Sequence, residues 1–368
     1  MATIRKRTLP SGKERWQVDF HDQDGKRRAK LFERKKDADA FLVDIRPRIR
    51  DGVYVHDSDS ITVAEAAQTW LDHCEARQKA GRRMERATLR DYQDKVRLHI
   101  KDADIGIGGI KLSRLTRKAV NELRDRLLES GRSEHMARRV LGVLRLILNH
   151  AMDNGQIPSN VAHGVKVIRS SRIGHTVRIP TKEEVRSLID EADDGFSPML
   201  IVSALCGLRA SETRGLRWQD VDFDAGLIRV RQRADAYNVI GEPKSAAGRR
   251  DIPTGPTVLN TLRRWRLQCP KGDLDLVFPN RDGSIAIHSN TLKRRFKPLC
   301  RKVGIEMRWH DLRHFAVSLW IEQGFSIKET MSFAGHSSVQ MTMERYGHLF
   351  PSPDHRRGMA EVEARLLG

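Results

Sequence analysis

Apolar positions along the first 57 residues alternate with polar ones and then switch to helical spacing. Trp16, Val18 and Phe20 recur at every second residue, as on a half-buried strand. Asp24-Gly25 supplies a hairpin turn, and Ala29 and Leu31 are expected to continue the alternation on a returning strand. Ala38, Phe41, Leu42 and Ile45 fall on one helical face, with Gly52 just past its end. The pattern predicts a small module of three strands and one helix over 1–57.

From Ile61 to Val167 the period is helical throughout. Val63, Ala66, Ala67, Trp70, Leu71 and Cys74 form one stripe behind the N-cap candidate Thr62. Leu89, Tyr92, Val96 and Ile100 form a second, and Val120 to Leu128 a third. Met136, Val140, Val143, Leu144, Ile147 and Ala151 form a longer fourth, closed by Asn154-Gly155 and Pro158. Arg138, Arg139 and Arg145 lie off that stripe, so the expected object is a helical bundle with basic outer faces. The Gly106–Gly109 run reads as a turn, because no strand-glycine-helix unit surrounds it.

Residues 168–180 lose periodicity and read as a linker. Thr181 and Glu184 then match a capping box and open a last domain, 181–368. Helices around 197–217, a strand at Leu227–Arg233, a short β segment near Lys244–Ile252 and helices over most of the remainder are expected there. The predicted class is mainly α with small β elements (α+β): a three-stranded sheet plus helix, a helical bundle, and a mixed, mostly helical domain.

Charge narrows what such a chain does. The 368 residues carry a formal net charge of +19. That excess, spread along the whole length, points to a polyanionic partner. Nucleic acid fits better than a membrane surface, since no long apolar run with basic flanks occurs. The N-terminal residues have basic character without a following apolar stretch, so the protein is expected in the cytoplasm, at the nucleoid. Cys74, Cys206, Cys269 and Cys300 are widely separated, which suggests neither a disulfide framework nor a zinc site, and mostly buried thiols are expected.

Four segments of the last domain read together as chemistry: Cys206–Glu212 (CGLRASE), Glu242–Pro253 (EPKSAAGRRDIP), Trp309–His314 (WHDLRH) and Ala334–Leu349 (AGHSSVQMTMERYGHL). Phosphodiester transfer without a metal needs cations for a phosphate that gains charge, a nucleophile, and groups that move protons. Arg209 and Arg313 can fork N–H donors onto phosphate oxygens. Lys244 and the histidines can move protons, and Tyr346 offers an oxygen nucleophile. His310 and His314 are four apart, but Asp311 replaces the glutamate of the paired-histidine metal signature, so no metal site is expected.

In their order and spacing these segments resemble the tyrosine recombinases, the integrases of phages and mobile elements. The resemblance implies Arg209 and Arg313 as phosphate clamps, Tyr346 as nucleophile and Lys244 as the acid that protonates the leaving 5′ oxygen. It implies His310 as an aid to proton transfer at the tyrosine or phosphate. His336 would donate a hydrogen bond to the phosphate, and Glu212 would support the site from behind the contacting groups. His314 reads as structural, and His348 has no assigned role.

The implied reaction cuts and rejoins double-stranded DNA at attachment-type sites through a 3′-phosphotyrosyl intermediate, without a cofactor, to integrate or excise a prophage or mobile element. A homotetramer on DNA, with accessory DNA-bending and directionality factors, is implied in the same way. The module 1–57 would bind arm sites and 61–167 core sites. After Leu349, Met359, Val362 and Leu366 at helical spacing could dock on a neighbour or on their own domain. Rival readings are a type IB topoisomerase, a chromosome-dimer resolvase and a non-catalytic DNA-binding regulator. The separate first module argues against the first two, and the intact constellation against the third.

Overall fold

The computed structural model describes residues 2–81, 84–168, 178–350 and 364–367. It divides into two compact units, Met1–Arg172 and Ile173–Gly368. The residues 169–177 of the expected linker, and Met359 and Val362, lie outside the described residues, while Leu366 is exposed.

The first unit opens with the antiparallel sheet β1 (Thr3–Thr8), β2 (Glu14–His21) and β3 (Arg27–Phe32), in sequence order. Helix α1 (Lys35–Arg50) covers one face. Val18, Phe20, Ala38, Leu42, Ile45 and Tyr54 form its core. One expectation fails at β3. Val18 pairs with Lys30 and Phe20 with Arg28, so the inner face carries Arg28, Lys30 and Phe32, and Ala29 and Leu31 point outward. Register explains the miss, because a one-residue shift exchanges the faces of a strand. Lys30 lays its ammonium 4.6 Å from the centre of the Phe41 ring, and Arg28 pairs with Asp22 at 2.8 Å. Arg28 is therefore tied inward, whereas Lys30 stays exposed with its ammonium over the ring. Arg5, Arg7 and Arg27 remain on the opposite face, gathered around Gln17 and Asp19.

The bundle comprises α2 (Val63–Lys79), α3 (Arg86–Lys95) continuing as a π turn over Val96–Ile100, α4 (Arg117–Glu129) and α5 (Glu134–Asp153). Thr62 caps α2 and Glu65 reaches back to its backbone, completing a capping box. The four stripes close on one apolar core that includes Trp70, Leu123, Leu144 and Ile147. Arg145 departs from the expected outer face: it donates to the carbonyls of Ala162 (3.1 Å) and Val165 and holds the chain after α5.

The second unit begins with α6 (Lys182–Asp190), capped by Thr181 and Glu184, then α7 (Ser197–Cys206) and α8 (Ala210–Gly215). A sheet of β4 (Val221–Asp222), β5 (Leu227–Val230) and β8 (Arg250–Pro253) follows, with the hairpin β6 (Arg233–Ala234) and β7 (Ile240–Gly241) inserted. Then come α9 (Pro256–Gln268), α10 (His288–Thr291), α11 (Lys297–Lys302), α12 (Trp309–Glu322), α13 (Ile327–Ala334) and α14 (Val339–Tyr346). The observed architecture is α+β. Cys74, Cys206 and Cys300 are buried and Cys269 partly so. Among the described residues no helix is long and apolar enough to cross a membrane.

The candidate active site

Two left-handed glycines shape the site. Gly207 ends α7 at φ 58° and Gly335 ends α13 at φ 62°. A Cβ at Gly207 would meet Trp320 Cη2 at 2.8 Å, and one at Gly335 would meet the Ala247 carbonyl at 2.8 Å. Neither position accommodates a side chain, and each turns a helix-terminal carbonyl toward an arginine.

Three guanidinia converge on the C-terminus of α13. Arg250 Nε donates to the Phe333 carbonyl at 2.6 Å, Arg313 Nη2 to Ala334, and Arg209 Nη2 to Gly335 at 2.7 Å. The last carbonyls of a helix lack intrahelical donors and carry its negative dipole end, so cations belong there. Arg313 also donates to the Gly207 carbonyl at 2.7 Å, which ties α12 to the end of α7.

Glu212 sits behind these cations and is 3% exposed. It accepts from Arg250 at 2.8 and 3.2 Å, from Arg209 Nη1 at 2.7 Å and from the Arg209 backbone at 2.9 Å. Burial alone would push its carboxyl up, but the Arg250 and Arg209 charges and hydrogen bonds outweigh that and hold it at about 2. Two guanidinia thus share one carboxylate, and Arg313 stands beside them on backbone carbonyls alone. Burial first, then repulsion from Arg209 and Arg250, pushes Arg313 down to about 9, where it is still cationic at neutral pH. The cluster keeps a surplus of positive charge, and Arg209, with its side chain 35% exposed, opens it to solvent.

Tyr346 is 1% exposed at the end of α14. Its hydroxyl is hydrogen-bonded to His314 Nδ1. His336 stacks on the ring, with centroids 6.3 Å apart and planes at 12°, and is itself held by Thr342 Oγ1 at 2.9 Å. His310 lies one turn before His314 on α12, with ring centroids 4.7 Å apart and edge-to-face, and keeps an exposed edge. Desolvation, then the neighbouring arginines, pushes His310 down to about 4 and His336 to about 3. For His310 the cations Arg313 and Arg345 are the firmer cause, because its solvent contact weakens desolvation. His314 is lowered to about 4 by desolvation and by His310. All three rings are neutral near pH 7. Burial raises the Tyr346 phenol above its ordinary value, and Arg313 and Arg345 partly oppose it.

Of the residues singled out in the sequence, Arg209, Glu212, Arg313, His310, His336 and Tyr346 come together. Lys244 does not join them through any contact among the described residues. It lies exposed on the loop between β7 and β8, outside the β segment expected for it. That loop is nevertheless anchored at the site: Gly248 packs under Pro243 and offers its carbonyl to Arg250 at 3.1 Å. One residue was missed: Arg250 gave no signal beyond the alternation of β8. His314, noted for its i, i+4 relation to His310 and read as structural, lies at the Tyr346 hydroxyl. Among the described residues no three His, Cys, Asp or Glu side chains gather as a metal-holding group.

Fold and constellation define a tyrosine recombinase. Residues 178–352 match the phage integrase family. The chain is 25% identical to a tyrosine recombinase XerC-like protein of Caldanaerobacter subterraneus subsp. tengcongensis, over 93% of this chain and 94% of that one. It is 26% identical to a putative prophage phiRv2 integrase of Mycobacterium tuberculosis, over 96% and 93%. The ICEBs1 integrase of Bacillus subtilis is 27% identical over 66% of this chain and 69% of its own.

Among solved structures, a Tn1549 transposon integrase in complex with a circular intermediate DNA aligns with a TM-score of 0.67 at 19% identity, covering 83% of this chain and 99% of that one. A lambda integrase tetramer bound to a Holliday junction aligns with a TM-score of 0.58 at 18% identity, covering 96% of each. These likenesses establish the fold. The chain carries a phage integrase domain over residues 178–352, and it is a tyrosine site-specific recombinase of the integrase type.

Proposed function

We propose that the cationic cluster receives the scissile phosphate of double-stranded DNA and that Tyr346 is the nucleophile. The observation that carries this reading is the unbalanced charge: three converging guanidinia meet one carboxylate beside a phenol and open to solvent at Arg209. Arg209 and Arg313 each use two N–H groups on protein acceptors and keep others for an anion, as a guanidinium has five donors. Glu212 and Arg250 hold the clamp rigid from behind.

In the proposed reaction the Tyr346 oxygen attacks phosphorus, the bond to the 5′ oxygen breaks, and a 3′-phosphotyrosyl link forms. Lys244, brought in as its loop closes on DNA, protonates the leaving 5′ oxygen. His336 and His310 present N–H groups to the phosphate, which gains charge in the transition state. Attack by a 5′-hydroxyl from a partner duplex reverses these steps and rejoins the strand. Structural neighbours bound to DNA, one of them a tetramer on a Holliday junction, support double-stranded DNA as substrate and a homotetramer as the assembly; attachment-type sites and accessory bending and directionality factors are part of the same proposal. The module 1–57, with Arg5, Arg7 and Arg27 on its open face, would bind arm sites, and the bundle 61–167 core sites. The protein acts in the cytoplasm, on the nucleoid.

The test is cleavage of a nicked duplex that carries the recombination site. Arg313→Ala is expected to bind that DNA and to cleave it about 10²–10³-fold more slowly. Cleavage by Arg313→Ala at the wild-type rate overturns the reading.

A further inference from the structure

We propose that His314 is the catalytic base that takes the proton from Tyr346, through its contact with the phenol oxygen. This inference rests on Tyr346 being the nucleophile. The geometry separates the two histidines of α12. Among the described residues His314 is the only hydrogen-bond partner of the Tyr346 hydroxyl, while His310 contacts the His314 ring and shows an open edge. His336 and Thr342 fix the phenol from its other side, so its oxygen is aimed at Nδ1 of His314. Both partners are almost fully buried, at 3% and 1% exposed.

The protonation states suit the role. A phenol raised by burial does not ionise unaided at neutral pH, and the ring beside it is held neutral, so that in the tautomer protonated at Nε2 its Nδ1 accepts from the phenol. As Tyr346 Oη bonds to phosphorus, its proton passes to His314 Nδ1, giving an imidazolium, while the electron pair of the broken P–O bond leaves on the 5′ oxygen. In the joining step the imidazolium returns the same proton to the departing tyrosyl oxygen. The cycle consumes no net proton at this position, and His310 is left to the phosphate.

Single-turnover cleavage of a nicked duplex, with either oxygen or sulfur as the bridging 5′ atom, tests the assignment. A sulfur leaving group needs no acid to depart, but the phenol still needs its base. His314→Ala is expected to bind DNA with near wild-type affinity and to cleave both substrates about 10²–10⁴-fold more slowly. Added imidazole should restore part of the loss. His314→Asn, which keeps an amide near the Nδ1 position, provides the same reading if the alanine variant folds poorly, and should be slow on both substrates.

Wild-type rates in the Asn variant, recovery on the sulfur substrate alone, or faster cleavage than wild type each overturn the proposal. The last would make the contact a restraint on the nucleophile. Tyr346→Phe run in parallel separates the two levels. An adduct in that variant defeats the nucleophile assignment itself, whereas a normal Tyr346 adduct with unimpaired His314 variants defeats only the base.

Discussion

The helical bundle of the first unit and the catalytic unit bury their side chains by opposite rules. In the bundle the core is a continuous set of aliphatic residues with Trp70, and its buried charge, Lys95, is paired with Asp91 at its own i, i+4 position. In the catalytic unit Glu212, Arg214, Arg250, Arg313 and His314 are all buried, and each draws a partner from a distant segment. Arg250 and Glu212 are 38 residues apart, and Arg209 reaches a carbonyl 126 residues away. An apolar core gains free energy from each burial independently, whereas a buried charge is stable only with all its partners present. One region is built by pattern. The other is built by mutual dependence, and its unused positive charge is what function draws on.

The sharpest way to break this comparison is to remove the carboxylate. Glu212→Ala leaves Arg250 buried without its ion-pair partner and is expected to destabilise the catalytic unit by about 3–5 kcal/mol, read from denaturant midpoints. A loss below about 1 kcal/mol would show that the cluster is not interdependent. First-unit amide protection should be unchanged in that variant.

A comparable effect comes from pH. His314 and His336 are buried neutral, with values pushed from 6.5 to about 4 and about 3. The unfolded chain binds more protons than the folded one below pH 6.5, so stability falls as pH drops from there toward 4. Each ring contributes a slope on the order of 1.4 kcal/mol per pH unit. In the first unit His56, His99 and His150 shift the same way but less strongly. Amide exchange followed across pH 7 to 5 should therefore show earlier loss of protection in the catalytic unit. Equal loss in both units would remove the contrast.

The same contrast explains what the sequence made legible. Local rules read well: the capping boxes at Thr62 and Thr181, the four helical stripes and the hairpin before β3 depend on neighbours within a few residues. Arg209, Arg313, His310, His336, Glu212 and Tyr346, which the fold brings together, stood out in the sequence because their spacing repeats a family pattern. Ala29 and Leu31 were misplaced because strand register depends on the partner strand. Arg250 looked like one more basic surface residue, since only the fold brings the carboxylate and the α13 carbonyl to it. His314 read only as structural for the same reason: the phenol it contacts lies 32 residues away. Lys244 shows the reverse case, a residue that the pattern places at the reaction and that the fold leaves exposed on its loop.

The central claim is a covalent bond between DNA and one buried phenol. Wild-type protein should be trapped on a nicked duplex of its own recombination site, denatured in detergent, digested and mapped by mass spectrometry. The account predicts a single adduct, with the 3′ phosphate of the cleaved strand on Tyr346, and none in Tyr346→Phe under the same conditions. An adduct on any other residue, or one that persists in Tyr346→Phe, contradicts it.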